Sequence, residues 1–373
     1  MKLSKSFLVG TCVAFFGLLI LSEIALRLTV PMGFWYRHFD ISGDMTSLAE
    51  LRDRLSYSPR RFPDDRPPLL LGDSVLGASA LKEHRIPGAR QKTLSYYLKE
   101  NIRESDFSGP HTGPLLDPGF RAISLGSYGI LLPDIEGLSA EFSAHPPEKI
   151  LLLLNFRMFS KEFGEGKKAI SRHFLLSNLS ADLQKKLASD PPPTEEAQLS
   201  DRLYAWMCDH WFLFRETQAA KVLWYYPSQK DFFQRGLEHF VKKNEAQSDI
   251  IEAALKQKVV SYYQPYLWDP SALPLTCLKK VLDDWTKQHI PVEVVLTPQN
   301  RKFLGSDLDK PSFEKNRKTL ESFMKAYRPA GLIYRDWADR YPSSFFLDHC
   351  HLTPEGNEQY AKDLANLPGK GKP

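Results

Sequence analysis

The sequence has few cysteines, no block of one charge and no internal repeat, and these absences narrow the class of protein. Apart from Cys12 near the N-terminus, the cysteines are Cys208, Cys277 and Cys350, which allow at most one disulfide bond. Cys208 and Cys277 are the candidates for it. The net charge of +4 is small and scattered along 373 residues, so we expect no nucleic-acid partner. A hydrophobic content of 42% allows a large core, in one α/β domain with an insertion or in two small domains.

The first thirty residues do not fit a soluble globule. Lys2 and Lys5 precede an apolar stretch, and its helical pattern runs from Phe7 to Leu28. About 20 residues of helix cross a bilayer core. A cleaved signal peptide is the alternative, but no small-x-small cleavage site follows the stretch. We therefore predict an uncleaved signal anchor in the bacterial cytoplasmic membrane, with the short basic N-terminus in the cytoplasm and the body of the chain in the periplasm.

Five segments are predicted along the chain. They are a cytoplasmic tip (1–6), a transmembrane signal anchor (7–28), a polar stalk (29–68), an α/β catalytic domain (69–367) and a disordered tail (368–373). Within the catalytic domain, residues 160–270 are helical in pattern and rich in aromatics. They are predicted to form a helical cap inserted over the carboxyl edge of a sheet.

The remainder of this domain alternates short apolar strands with helical segments, which is typical of a three-layer α/β/α fold around a parallel sheet. Continuous apolar runs indicate strands that are buried on both faces. Five strands are predicted, at Leu69–Gly72, Arg121–Leu125, Lys149–Asn155, Val292–Thr297 and Gly331–Arg335.

Two short motifs about 270 residues apart carry the residues of a serine nucleophile. Ser74 follows the first strand in the sequence Gly-Asp-Ser, which places it at the carboxyl end where open α/β sheets bind ligands. A serine is weakly nucleophilic until a base takes its proton. His351 is the candidate base, because Thr353 can N-cap the next helix and Pro354 suits its first position, which fixes the approach to that helix. Asp348, three residues earlier, can hold the imidazole tautomer.

Two further positions fit an oxyanion hole. Gly129 lies in a glycine-bearing loop after the second strand, where backbone N–H groups can face an oxyanion. Asn155 closes the third strand, and a polar side chain after five apolar residues needs a partner or a function. Its amide is a suitable oxyanion donor. Taken singly, each is better explained by a structural role, Gly129 as a turn and Asn155 as a strand cap.

In this order, the four elements resemble the SGNH (GDS-type) hydrolase superfamily, which is named for its Ser, Gly, Asn and His. The resemblance runs from about Leu69 to Leu364, with the cap as an insertion. It implies that Ser74 is the nucleophile and that Asp348 and His351 complete the triad. The N–H groups of Ser74 and Gly129 and the Asn155 amide then bind the oxyanion. The block around Asn155 departs from the family's usual Gly-x-Asn-Asp, because it reads Leu-Leu-Asn-Phe. The family fold, a five-stranded parallel sheet between helices, agrees with the strands predicted from the pattern.

The anchor makes the layout similar to membrane-anchored SGNH proteins that work beside membrane-bound O-acyltransferases in acylating cell-envelope polymers. By that resemblance we expect acyl transfer, with O-acetylation as its expected form, onto or off an envelope polysaccharide or similar polymer. An acyl-serine is the expected intermediate, and a membrane-bound O-acyltransferase is the expected partner. A membrane-anchored esterase is the alternative, since the same triad can pass its acyl group to water or to a sugar hydroxyl.

Two other interpretations come from different classes of protein. Asp348, His349, Cys350 and His351 form a dense group of potential metal ligands, but no companion motif supplies further ligands. We therefore expect neither a metal nor a cofactor. The chain could also be a catalytically idle scaffold for an acyltransferase. Retention of Ser74 together with Asp348 and His351 argues against that interpretation, since an idle fold has no physical need for a triad.

Overall fold

The computed structural model of the chain describes residues 5–29, 68–77, 79–98, 123–126, 130–144, 146–160, 178–187, 203, 206–207, 210–211, 259–260, 272–305, 310–327 and 332–366. The predicted tail 368–373, nearly all of the predicted stalk 29–68 and most of the predicted cap 160–270 lie outside these residues. Gly129 and Cys208 also lie outside them, so the disulfide bond between Cys208 and Cys277 stays a prediction.

The chain divides into two compact units. One comprises Met1–Phe39, Thr46–Tyr57 and Pro193–Glu245, and the other comprises Asp40–Met45, Ser58–Pro192 and Ala246–Pro373. All strands of the sheet belong to the second unit, whereas the segment predicted as a cap is divided between the two.

The first unit contains an apolar helix, α1 (Lys5–Thr29). Its segment Gly10–Leu28 has a mean hydropathy of 1.9 and is almost entirely exposed. A helix of 19 residues is long enough to cross a bilayer core, and its length and composition fit a membrane anchor or a signal sequence. The prediction of an apolar N-terminal helix is confirmed.

The second unit is built on a sheet of parallel strands in the order β2-β1-β3-β4-β5. The strands are β1 (Leu69–Gly72), β2 (Ile123–Gly126), β3 (Ile150–Leu154), β4 (Val292–Leu296) and β5 (Leu332–Asp336). β1 and β3 lie inside the sheet and are buried along their whole length, which explains their unbroken apolar runs. The prediction of an α/β fold with a parallel sheet is confirmed.

Helices connect and flank these strands. They are α2 (Ser79–Glu83), α3 (Leu132–Ser139), α4 (Ala181–Leu187), α5 (Leu273–Lys287), α6 (Arg301–Leu304), α7 (Lys310–Ala326) and α8 (Pro354–Ala365). α3 packs on α5, and α5 contacts β4. Trp285 of α5 is fully buried and stacks on Phe142 with 6.2 Å between ring centroids.

A hydrophobic cluster fixes α8 to the sheet. Leu70 of β1 and Leu153 of β3 belong to the same buried cluster as Tyr360 and Leu364 of α8. Burying one leucine side chain contributes about 1.5–3 kcal/mol, so this contact holds α8 firmly. It also fixes the loop that leads into α8. Because strand side chains alternate between faces, the buried Leu152 points away from α8.

The order of the strands determines where a ligand crevice forms. In open parallel sheets with this order, the crevice lies outside the carboxyl ends of the first and third strands, where successive connections leave in opposite directions. Ser74 follows β1 and Asn155 follows β3. Ser74 and Asn155 therefore lie on either side of that crevice.

Candidate active site

Ser74 stands at the sharp turn that follows β1. It begins a 3-10 helix, Ser74–Leu76, which Asp73 caps by accepting a hydrogen bond from the N–H of Val75 at 3.2 Å. Gly72 suits the position just before the turn, since a Cβ there would stand 2.9 Å from a terminal methyl group of Leu76 and 3.2 Å from Leu153 Cβ, and these neighbours would have to shift. The turn leaves Ser74 partly exposed while Asp73 is buried.

His351 lies on a loop that is held at both ends. Phe346 and Leu352 form an antiparallel bridge, and the N–H of Leu347 donates to the carbonyl of His351 at 2.8 Å. Thr353 then caps α8, accepting from the N–H of Gly356 at 3.1 Å, and Pro354 occupies the first helical position. The predicted N-cap at Thr353 and the predicted place of Pro354 at the start of the helix are therefore confirmed.

Asn300, after β4, holds the same loop from the side of the sheet. Its backbone N–H donates to the carbonyl of His349 at 2.8 Å, and its side-chain amide donates to the carbonyl of Asp348 at 3.0 Å. We did not predict this role from the sequence. The sequence does contain a signal for it. Asn300 is a polar residue at or just past the carboxyl end of a predicted strand, and so are Ser74 and Asn155.

The structure brings Ser74, His351 and Asp348 into one continuous chain of hydrogen bonds. Ser74 Oγ lies 2.8 Å from His351 Nε2, and His351 Nδ1 lies 2.7 Å from Asp348 Oδ2. The other carboxylate oxygen accepts from the backbone N–H groups of Cys350 at 2.9 Å and His351 at 2.8 Å. Asp348 is thereby fixed by its own loop while it orients the imidazole.

Electrostatic interactions at this site shift the pKa values of Asp348 and His351 in opposite directions. Burial acts to raise the pKa of Asp348, but the charge of His351 and its hydrogen bond outweigh burial, and the pKa falls well below its usual value. Burial acts to lower the pKa of His351, whereas the charges of Cys350 and Asp348 raise it, and the net pKa stands well above 6.5. Asp348 therefore remains a carboxylate and favours a protonated imidazole.

Asn155 is tied to the residue before the serine. Its amide Nδ2 donates to Asp73 Oδ2, and its Oδ1 accepts from the N–H of Met158 at 3.3 Å. An amide nitrogen carries two hydrogens, and the bond to Asp73 uses one of them. The link between β1 and β3 holds the Asn155 amide at the same edge of the sheet as Ser74.

Asp73 is a second residue whose role at this site is not predicted from the sequence. It lies within Gly-Asp-Ser, and its buried carboxylate caps the turn of Ser74 and binds Asn155. Of the predicted oxyanion donors, Asn155 and the N–H of Ser74 lie at this edge, while Gly129 is outside the described residues. The Ser74 N–H is the first of its 3-10 helix, so it has no acceptor within that helix.

Cys350 is buried beside Asp348 and His351, and His349 is half-buried next to it. Cys350 Sγ lies 3.3 Å from His349 Nε2 and 3.8 Å from His351 Nδ1. Burial acts to raise the pKa of the Cys350 thiol, but the charges of His349 and His351 outweigh it, and the net pKa is lowered. His349 Nδ1 stands 3.6 Å from Asp348 Oδ1.

Comparison with known proteins adds no relative from which a role could be taken. No protein-family model matches the chain, and no curated protein matches it.

Proposed function

We propose that this protein is a serine-dependent acyl-transfer enzyme that carries its acyl group on Ser74. The proposal rests on the chain of hydrogen bonds from Ser74 Oγ through His351 to Asp348. Such a chain lets the imidazole accept the hydroxyl proton while the carboxylate stabilises the imidazolium that forms. Ser74 is partly exposed at the carboxyl edge of the sheet, so its hydroxyl is accessible to a substrate.

In the proposed reaction, Ser74 Oγ attacks the carbonyl carbon of an acyl donor as its proton passes to His351 Nε2. The imidazolium then gives this proton to the leaving oxygen, and an acyl-serine remains. An acceptor hydroxyl reverses these steps, losing its proton to His351 and taking the acyl group. The Ser74 N–H and the second hydrogen of the Asn155 amide are the proposed oxyanion donors, with Gly129 as a third by resemblance.

At the level of architecture, we propose a three-layer α/β/α domain of the SGNH type. The strand order, the α8 cluster on one face and the α5 contact with β4 support it. The order Ser74, Asn155, Asp348 and His351 along the chain also fits that family.

The proposed acceptor is an envelope polysaccharide or a similar polymer, with O-acetylation as the reaction and a membrane-bound O-acyltransferase as partner. The apolar helix α1 is the supporting observation, since it suits a chain held at a membrane. Hydrolysis is the second candidate function, and the exposure of Ser74 favours it because water can reach an exposed acyl-serine.

An acceptor assay separates the two functions. The full-length chain in detergent is given p-nitrophenyl acetate labelled in its acetyl group, with or without polysaccharide from the host envelope. We expect label to accumulate on the polymer, in competition with water, and Ser74→Ala to abolish both products. Label that goes only to water, with every polymer fraction tested, would leave an esterase and refute transfer.

The proposed topology gives a separate prediction. With α1 as an uncleaved single-pass anchor, the chain should remain with membranes after alkaline extraction, because its mainly apolar segment of 19 residues stays in the bilayer. Protease added outside the cytoplasmic membrane should digest the body, since the basic end lies in the cytoplasm. N-terminal sequencing is the decisive measurement. A soluble mature form beginning near Val30 would show that the segment is a cleaved signal.

A further inference from the structure

Cys350 is a buried thiol that the proposed reaction does not use. Its sulfur lies 3.8 Å from His351 Nδ1, and that nitrogen lies 2.7 Å from Asp348 Oδ2. One potential ligand atom from each of Asp348, Cys350 and His351 falls within 4.8 Å of the others, a grouping found once among the described residues. All three side chains come from the one short loop whose ends are fixed by the bridge and by the cap of α8.

These separations are close to those of a tetrahedral zinc site. With zinc–sulfur bonds near 2.3 Å and zinc–nitrogen bonds near 2.05 Å, a thiolate and an imidazole nitrogen stand about 3.5 Å apart. Cys350 Sγ lies 3.8 Å from His351 Nδ1, slightly more than that value. A nitrogen and a carboxylate oxygen stand about 3.4 Å apart in such a site, so Asp348 Oδ2 must withdraw slightly from His351.

We propose that Asp348, Cys350 and His351 form a binding site for a thiophilic divalent cation such as zinc. A water molecule completes the coordination. Thiolate, imidazole and carboxylate together are the ligand types that zinc takes in proteins. The sequence predicts no metal because no companion motif supplies ligands, but here one loop turns its own side chains inward, so no second motif is needed.

Occupation of this site and the serine reaction are mutually exclusive. The reaction needs a proton on His351 Nδ1, hydrogen bonded to Asp348, and a lone pair on Nε2 that faces Ser74. A cation on Nδ1 replaces that proton, and the neutral ring must then carry its hydrogen on Nε2. Thiol and imidazole together hold two protons before binding and one afterwards, so one proton leaves to solvent.

Zinc is therefore an inhibitor that switches the triad off and is removed by a chelator. This consequence for catalysis rests on the proposed function, whereas the binding site itself does not. A protein with such a site would respond to the concentration of free zinc around its catalytic body.

The binding test uses full-length protein in detergent, freed of metal by a chelator and then dialysed. Zinc chloride is titrated by equilibrium dialysis, and cobalt chloride is titrated by absorption. Wild type and Ser74→Ala should each bind one zinc ion with the same affinity, since Ser74 is not a ligand. Cys350→Ser should bind it at least about tenfold more weakly, as ligand-sphere changes commonly do. The thiolate-to-cobalt charge-transfer band should be present in the first two proteins and absent from the third.

Zinc affinity in Cys350→Ser equal to that of wild type, or cobalt binding without the charge-transfer band, would overturn the site and assign the metal to other histidines. Thermal unfolding monitors the fold of the variant, and Cys350→Ala replaces it if the buried hydroxyl unfolds the loop.

For inhibition, zinc should stop ester hydrolysis by wild type, and chelator should restore it. Zinc bound by an enzyme that remains active refutes the switch. A protein that binds zinc but never cleaves an ester refutes the proposed function and supports the site.

Discussion

Replacing Ser74 by alanine should reduce hydrolysis of p-nitrophenyl acetate by the full-length chain about 10⁴- to 10⁶-fold, and His351→Ala should cause a loss of the same size. The two side chains share one proton across a 2.8 Å contact. Ser74 is therefore a poor nucleophile without His351, and His351 has no hydroxyl proton to accept without Ser74. For that reason the double variant should be no slower than either single variant. Initial rates in buffer with a chelator, on protein purified in detergent, measure all three.

His349→Ala is the matched control for this prediction. His349 is half-buried on the same loop, but its ring faces Cys350 and Asp348 rather than Ser74. Removing it should cost far less activity than removing His351. Thermal unfolding of both histidine variants separates loss of fold from loss of chemistry. If His349→Ala were the more damaging of the two, the base would be assigned to the wrong histidine, and an active Ser74→Ala would exclude the serine mechanism.

The positions of Ser74 and His351 could be predicted because each depends on local chain patterns. Ser74 follows a run of leucines that reads as a buried strand, and the end of such a strand is where a ligand binds. His351 precedes Thr353 and Pro354, which mark the start of a helix by short-range chemistry alone. Both signals lie within a few residues of the side chain concerned, and the structure agrees with both.

The pairing of Asp73 with Asn155 could not be predicted in the same way. It depends on β3 lying directly beside β1 in the sheet, and the lateral order of strands is a long-range property. The sequence shows two polar residues after two apolar runs but not that the runs are neighbours. Asn155 was consequently predicted as an oxyanion donor or a strand cap, and its bond to the Asp73 carboxylate was not predicted.

The inward position of Cys350 was hidden for a different reason. Alternation along an extended chain would turn Cys350 away from both His349 and His351. The loop is not extended, because Asp348 accepts two backbone hydrogen bonds and Leu347 bonds back to His351. That tight turn brings neighbouring side chains together, and no periodicity in the sequence reports it.

Asp348→Asn should lower the maximal rate of ester hydrolysis on the order of 10⁴-fold, since an amide cannot hold the required tautomer or stabilise the imidazolium. The same variant should move the pH dependence. His351 must be neutral to accept the serine proton, and its pKa lies well above 6.5 because the charges of Cys350 and Asp348 raise it against burial. The wild-type rate should therefore rise with pH through a midpoint above 6.5. Removing the Asp348 charge should lower that pKa, and the midpoint should shift toward lower pH.

Asp363→Asn is the matched control, because Asp363 is a half-buried carboxylate that pairs with Arg340 and Tyr341 and does not contact the triad. It should change neither the maximal rate nor the midpoint. Rates across the pH range, in chelating buffer, give both quantities for each protein. A lower rate without a shift of the midpoint would mean that Asp348 only supports the loop through its backbone hydrogen bonds. A rate that falls as pH rises through the same range would exclude His351 as the base, since the neutral imidazole would then be the inactive form.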